Sequence, residues 1–364
     1  MTETDIRSQT FTLTRADYTA YYWSAYFGLF TTLPRAILIW LIAVVAWLPF
    51  VFNSLMAGHY ATAGLIALGV AVAWCAVLPG LGILTYRRAL ARMHNAYRPR
   101  IAIVSGRNVT IEGPGFADHR TWAQFRRVTQ TKRLIFLSMT AGAAMIVPRS
   151  AFATAAQGDA FIAECRRNIA GSRHRQAKVF DTPLPATPLP GGLETPPYHL
   201  EFALYFKLMT YGLYRTYTRP LTLVTMAAAF LAFPVWGDRA AIASGHFDVL
   251  WPSIAGFGGF VAFFPPGMAV LNWLRSRKKP EIGNARRVGV TPDQVRMYGD
   301  GFDISTSWQG IRRIDRRFGA LHFWTAPVAS IAVPLSAFAS PEDAQAFQDQ
   351  ATAWWHTARA AQAS

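Results

Sequence analysis

Residues 113–128 read GPGFADHRTWAQFRRV, and residues 299–314 read GDGFDISTSWQGIRRI. A single gapless shift of 186 positions superposes them. The shift places Trp122 on Trp308, Arg126 and Arg127 on Arg312 and Arg313, and Gly115-Phe116 on Gly301-Phe302. Downstream it carries Pro148-Arg149-Ser150-Ala151-Phe152-Ala153 onto Pro334-Leu335-Ser336-Ala337-Phe338-Ala339, and Phe161 onto Phe347. Upstream it carries Pro34 onto Pro220 and Pro79 onto Pro265. One constant offset over so much chain marks a tandem duplication, in which each copy is one folding unit.

Around the quoted stretches lie short β-branched runs. In the first copy they are Ile101–Val104, Asn108–Ile111, Phe116–Trp122, Phe125–Thr131, Leu134–Met139 and Ala143–Val147. In the second they are Val288–Val290, Gln294–Tyr298, Phe302–Trp308, Ile311–Asp315, Leu321–Trp324 and Ser330–Val333. Turn residues separate alternating apolar positions, the pattern of an antiparallel meander. A helix follows in each copy, over about Ser150–Ile169 and Pro341–Arg359, with apolar residues at helical spacing. Ser340 is its expected N-cap in the second copy, with Pro341 at the first helical position.

Outward again lie four runs free of Lys, Arg, Asp and Glu: 36–55, 61–84, 220–236 and 249–272. About 20 helical residues cross a hydrocarbon layer roughly 30 Å thick. Three runs meet that length, and the third, with 17 residues, borrows from its flanks. The spacing predicts two transmembrane hairpins. The short turns after spans one and three hold only Arg239, against 36 Lys and Arg in the chain. The positive-inside rule therefore puts both termini and the long middle segment in the cytoplasm. No cleaved signal peptide is expected, since residues 1–34 show no apolar core.

The organisation expected is an aromatic lead-in segment (1–34), hairpin one, a cytoplasmic module (86–170), a Pro-rich linker (171–197), a second lead-in (198–219), hairpin two and a second module (275–360). The fold class is an α+β membrane protein: four transmembrane helices in two hairpins, each hairpin followed by a cytoplasmic antiparallel β-meander closed by a C-terminal helix. The lead-ins are rich in Tyr, Trp and Phe, which suit a headgroup layer.

The pattern Trp122-x-x-Phe125-x-x-Val128, then Pro148-x-x-Ala151-Phe152 before a helix, resembles the YcxB-like family of bacterial membrane proteins. The second copy keeps it as Trp308, Ile311, Ile314, Pro334, Ala337 and Phe338. The family's basic residue after the Pro is Arg149 in the first copy and Leu335 in the second. The resemblance implies a bacterial inner membrane and an architecture, but no activity, because the family's biochemical function is unknown. A meander closed by a helix also resembles the pleckstrin-homology-like barrel, a likeness of fold that specifies no ligand.

Composition narrows function further. Charged residues are 15% of the chain and hydrophobic ones 52%, which excludes disorder and argues against an ordinary soluble enzyme. The eight histidines show no metal-ligand spacing, although His59 and His246 lie in matching outer turns. No nucleophile elbow or phosphate-binding glycine loop occurs. No catalytic residue, cofactor or metal is expected. The spans lack mid-membrane charge, which weighs against transport, so a small transporter or channel component is the alternative to a binding or assembly module.

The basic excess is uneven: residues 86–219 carry 20 Lys and Arg against 7 Asp and Glu, and residues 275–364 carry 12 against 8. Anionic lipid, or an unknown protein, is the expected partner, and nucleic acid is not. The candidate contacts are Arg87, Arg88, Arg92, Arg126, Arg127, Arg275, Arg277, Lys278 and Lys279. Pro79 and Pro265 are candidate hinges. Trp122, Pro148, Phe152, Trp308, Pro334 and Phe338 are the repeat signature.

Overall fold

The computed structural model describes residues 5–30, 96–140, 143–175, 191–217, 239–276, 284–326 and 329–363, with isolated positions at 83, 87, 90, 91, 220, 223, 224, 227 and 228. The chain divides into two compact units, one of residues 1–21, 89–208 and 272–364, the other of 22–88 and 209–271.

The first unit holds both meanders. Its strands are β1 (Ile6–Arg7), β2 (Ile101–Val104), β3 (Asn108–Gly113), β4 (Phe116–Thr121), β5 (Arg127–Gln130), β6 (Leu134–Thr140) and β7 (Ala143–Pro148) in the first copy. The second copy supplies β8 (Leu193–Glu194), β9 (Arg286–Val290), β10 (Gln294–Gly299), β11 (Phe302–Ser307), β12 (Arg313–Arg317), β13 (Ala320–Ala326) and β14 (Ala329–Pro334). The expected strands are all present, with ends displaced by a few residues. The short β1 and β8 were not anticipated. Both are two-residue edge strands with little periodicity of their own, recruited by the ladders of β2 and β9.

The two copies share one sheet. Its order is β1-β2-β3-β4-β11-β10-β9-β8, so each copy contributes four strands and the copies meet at β4 and β11. That pairing is antiparallel, with Phe116 opposite Thr306, Asp118 opposite Ile304, and Arg120 opposite Phe302. Each copy adds its own three-stranded sheet, β5-β6-β7 or β12-β13-β14. Both of these carry an irregularity at the same place, Ser138/Thr140 and Trp324/Ala326. Alternation sends Ala102, Val104, Val109 and Ile111 inward from the first copy, and Val288, Val290 and Val295 from the second.

The closing helices complete each core. Helix α2 (Ala155–Arg175) buries Phe161, Ile162, Cys165 and Ile169. Helix α6 (Pro341–Ala363) buries Phe347 and Ala351 in one cluster with Trp308, Phe323 and Val333, and Ala344 is buried as well. Each such large apolar side chain contributes about 1.5–3 kcal/mol by leaving water. In both copies a 3-10 turn, Arg149–Ala151 or Leu335–Ala337, precedes the helix. The Ser340 cap is present, accepting the Asp343 N–H at 3.0 Å. Of the expected linker, residues 171–175 continue α2 and Leu193–Glu194 pairs with β9, while residues 176–190 lie outside the described residues.

The lead-ins form helices α1 (Arg15–Phe30) and α3 (Phe202–Tyr217). Thr14 and Asp17 cap α1 reciprocally: each backbone N–H donates to the other's side-chain oxygen, at 2.9 and 3.2 Å. Each lead-in has a tyrosine that is buried rather than placed at a surface. Tyr18 is buried and donates its hydroxyl to the Ala96 carbonyl at 2.6 Å, and Tyr198 donates to the Ala332 carbonyl at 2.8 Å.

In the second unit the described residues include helix α4 (Arg239–Ala243), a 3-10 turn at Phe247–Leu250, and the part of α5 (Trp251–Ser276) up to Leu271. Among the described residues no helix is long and apolar enough to cross a membrane. Runs 36–55 and 61–84, apart from position 83, and most of 220–236 lie outside the described residues. Run 249–272 falls largely within α5.

Candidate functional site

The signature residues are pins of the core. Trp122 donates its indole N–H to the Ser105 carbonyl, and Trp308 donates to the Thr291 carbonyl, both at 2.8 Å. Ser105 and Thr291 are themselves related by the 186-residue shift. Phe152 packs on Phe161 with ring centroids 4.9 Å apart, and Phe338 on Phe347 at 5.4 Å. Pro148 and Pro334 end β7 and β14 and lead into the 3-10 turns. Arg149 bridges Gln130 at 3.1 Å and Asp159 at 2.6 Å, tying the end of β5 to α2.

The predicted basic contacts are not gathered into one place. Arg126 and Arg127 are exposed at the start of β5. Arg87 is exposed, while Arg88, Arg92, Arg277, Lys278, Lys279 and Pro79 lie outside the described residues. Arg275 is in α5, its side chain outside the description. Pro265 is buried within α5 and is followed by Pro266. His246 meets Ser244 at 3.1 Å, and His59 lies outside the described residues. No group of three or more His, Cys, Asp or Glu comes together among the described residues.

The surfaces of the two copies diverge where sequence reasoning did not look. In the second copy Asp315 is a hub: it accepts the Trp324 indole N–H at 2.7 Å and pairs with Arg313 at 2.9 Å and Arg317 at 3.1 Å. The Arg313 guanidinium also lies over the Trp324 ring, 5.1 Å from its centroid. The first copy has Thr129, Ser138, Arg127 and Thr131 at these four positions. The cation is retained and the carboxylate is gone, so the β5 side stays basic. Near the end of α6, Trp355 donates to the Ile311 carbonyl at 2.8 Å, just before β12; its counterpart in α2 is Ile169.

A second divergence is internal. His322 on β13 is fully buried, one ring nitrogen 3.1 Å from Ser330 Oγ and the other 3.0 Å from the Arg317 carbonyl. Desolvation lowers its pKa and favours the neutral ring, against the raising effects of the Arg317 carbonyl and Asp315. The first copy has Phe136 and Ala144 there. A third lies at the junction. Arg120 is buried, its guanidinium bonded to Asp118 at 2.7 Å and to Gln124 at 2.9 Å, while Gln124 donates to the Gly301 carbonyl at 2.6 Å. The counterparts are Thr306, Ile304 and Gly310. A position-by-position comparison of the two copies would have flagged all three, because each is a charged or polar residue opposite an apolar or small one.

Residues 105–165 match the family model of the YcxB-like protein and constitute a YcxB-like domain. The match runs from the turn before β3 into α2. The same strand order and pins recur in the second copy without a second match. No curated protein and no solved structure matches the chain.

Proposed function

We propose that this chain is an integral protein of a bacterial inner membrane whose duplicated, strand-rich head is a non-catalytic binding or assembly module on the cytoplasmic side. The observation that carries the reading is the set of four charge-free runs with nearly all Lys and Arg outside their short turns. The exposed apolar side chains of α5 support it: Trp251, Ile254, Phe263, Val270 and Leu274 are all open, an arrangement costly in water and favourable in lipid. The YcxB-like domain supports it as well, and that family carries no assigned activity.

Two measurements test this. Alkaline extraction of membranes should leave the protein in the pellet. A reporter active only outside the cytoplasm should be silent at the C-terminus and active when inserted near Gly245. A protein recovered in the wash, or an active C-terminal reporter, overturns the proposal. A substrate flux into liposomes carrying the protein would favour the transporter alternative.

A further inference from the structure

We propose that Tyr214 is the latch of a hinge in α5. Its hydroxyl supplies the hydrogen bond that Pro266 denies to the Ala262 carbonyl, and the bend of α5 at Pro265 and Pro266 stays fixed while that bond is closed. The inference goes beyond the membrane reading and draws on it only for what surrounds α5.

In an α-helix each carbonyl accepts from the N–H four residues on. Proline has no N–H, so Pro265 and Pro266 inside α5 leave the carbonyls of Val261 and Ala262 without that donor. The proline rings also crowd those carbonyls, which bends a helix at such a point. The Tyr214 hydroxyl, on α3, donates to the Ala262 carbonyl at 2.5 Å. Both residues belong to the second unit, and Ala262 is exposed. Where lipid surrounds α5 no water is at hand to replace the hydroxyl, so the freed carbonyl depends on its neighbouring helix.

The two copies show the added proline and its donor together or not at all. The shift of 186 positions carries Ala76 onto Ala262 and Pro79 onto Pro265, but Gly80 onto Pro266 and Gly28 onto Tyr214. Gly80 has an N–H of its own to offer, and neither Gly28 nor Phe27 beside it carries a hydroxyl. The first copy has one proline and no such tyrosine; the second has two prolines and the tyrosine that answers the added one. A ring serving only a headgroup layer has no reason to accompany Pro266. The chain runs from α5 directly on towards β9, so a change of bend is made on the segment that leads into the second meander.

The test measures the distance between two spin labels in the full chain in phosphatidylcholine nanodiscs. Cys75 and Cys165 are changed to Ala, and the labels are carried by Val224→Cys and Ile254→Cys, both exposed positions of the second unit. Opening the bend by about 20° at Pro265 moves Ile254, roughly 16 Å along the helix, by about 5 Å. Tyr214→Phe keeps the ring and removes the donor, and should shift or broaden the distance distribution by that amount. Pro266→Ala returns an N–H to the Ala262 carbonyl, and in that background Tyr214→Phe should change nothing. An unmoved distribution in Tyr214→Phe overturns the proposal, and so does an equal broadening with Pro266→Ala present. Failure of the chain to enter discs overturns the membrane reading alone; the same labels then read the latch in detergent solution, with the same two outcomes.

Discussion

Asp118 and Ile304 lie opposite one another in the β4–β11 pairing, and they are the same position in the two copies. A pseudo-twofold axis therefore passes between them. The hydrogen bonds obey it: the Thr121 N–H donates to the Gly301 carbonyl at 3.0 Å, and the Ser307 N–H to the Gly115 carbonyl at 2.8 Å. The duplicated chain carries its own dimer interface, closed into one sheet.

The junction makes a first prediction. Gly115 and Gly301 have φ of 80° and 82°, and a Cβ on them would lie 2.6 Å from Ser307 Oγ and 2.9 Å from Thr121 Oγ1. Gly115→Ala or Gly301→Ala should each cost about 1–2 kcal/mol from the left-handed backbone alone. Because the sheet is shared, either change should lower the unfolding temperature of both copies together. Hydrogen exchange on β3 and β10 reads this; loss confined to one copy would contradict the shared sheet.

His322 makes a pH-dependent prediction. Its folded pKa lies below the ordinary value of 6.5 through burial. Above about pH 6.5 both states are neutral, and the full stability is present. As pH falls below that value the unfolded chain binds a proton that the fold refuses. Stability is then lost at up to about 1.4 kcal/mol per pH unit until the folded pKa is reached. Asp315, Arg317 and Arg313 are the charges that act on the ring. The pair His322→Phe with Ser330→Ala imports Phe136 and Ala144 from the first copy and should remove this acid loss. Denaturant titrations of the detergent-solubilised protein at several pH values would check it.

Cys165 is wholly buried on α2, and burial pushes its thiol well above the ordinary range. It should resist a thiol reagent at neutral pH in the native protein and react on denaturation, with labelling located by peptide mass spectrometry. Rapid native labelling at this residue would mean that α2 does not close the core.

The two indole pins should be equivalent. Trp122→Phe and Trp308→Phe each leave a carbonyl without its donor and a gap beside the ring, and should cost about 1–3 kcal/mol apiece. The two losses should agree in unfolding experiments, since both bonds are 2.8 Å long. A loss at only one would show that the copies carry unequal shares of stability.

Much of the head was legible in the sequence. Turn residues between β-branched runs located the meanders, because side-chain alternation and glycine conformations are local properties. Ser340 and Pro341 located a helix start for the same reason. The shift of 186 positions revealed the duplication because it repeats residue identities such as Trp122 and Trp308. The candidate site was less legible. Arg126 and Arg127 are plain in the sequence, but nothing near them shows that Arg313, the counterpart of Arg127, is held by Asp315 and Trp324.

By itself, then, the sequence determined two copies of one strand-and-helix unit, their pins, and the charge-free runs between them, since periodicity, capping and composition act over a few residues. Only the tertiary structure decided that β4 joins β11, that β1 and β8 become edges, and that His322 and Arg120 are buried. Those outcomes depend on backbone groups finding partners far along the chain, and a ladder hydrogen bond carries no residue-specific signal to announce its partner.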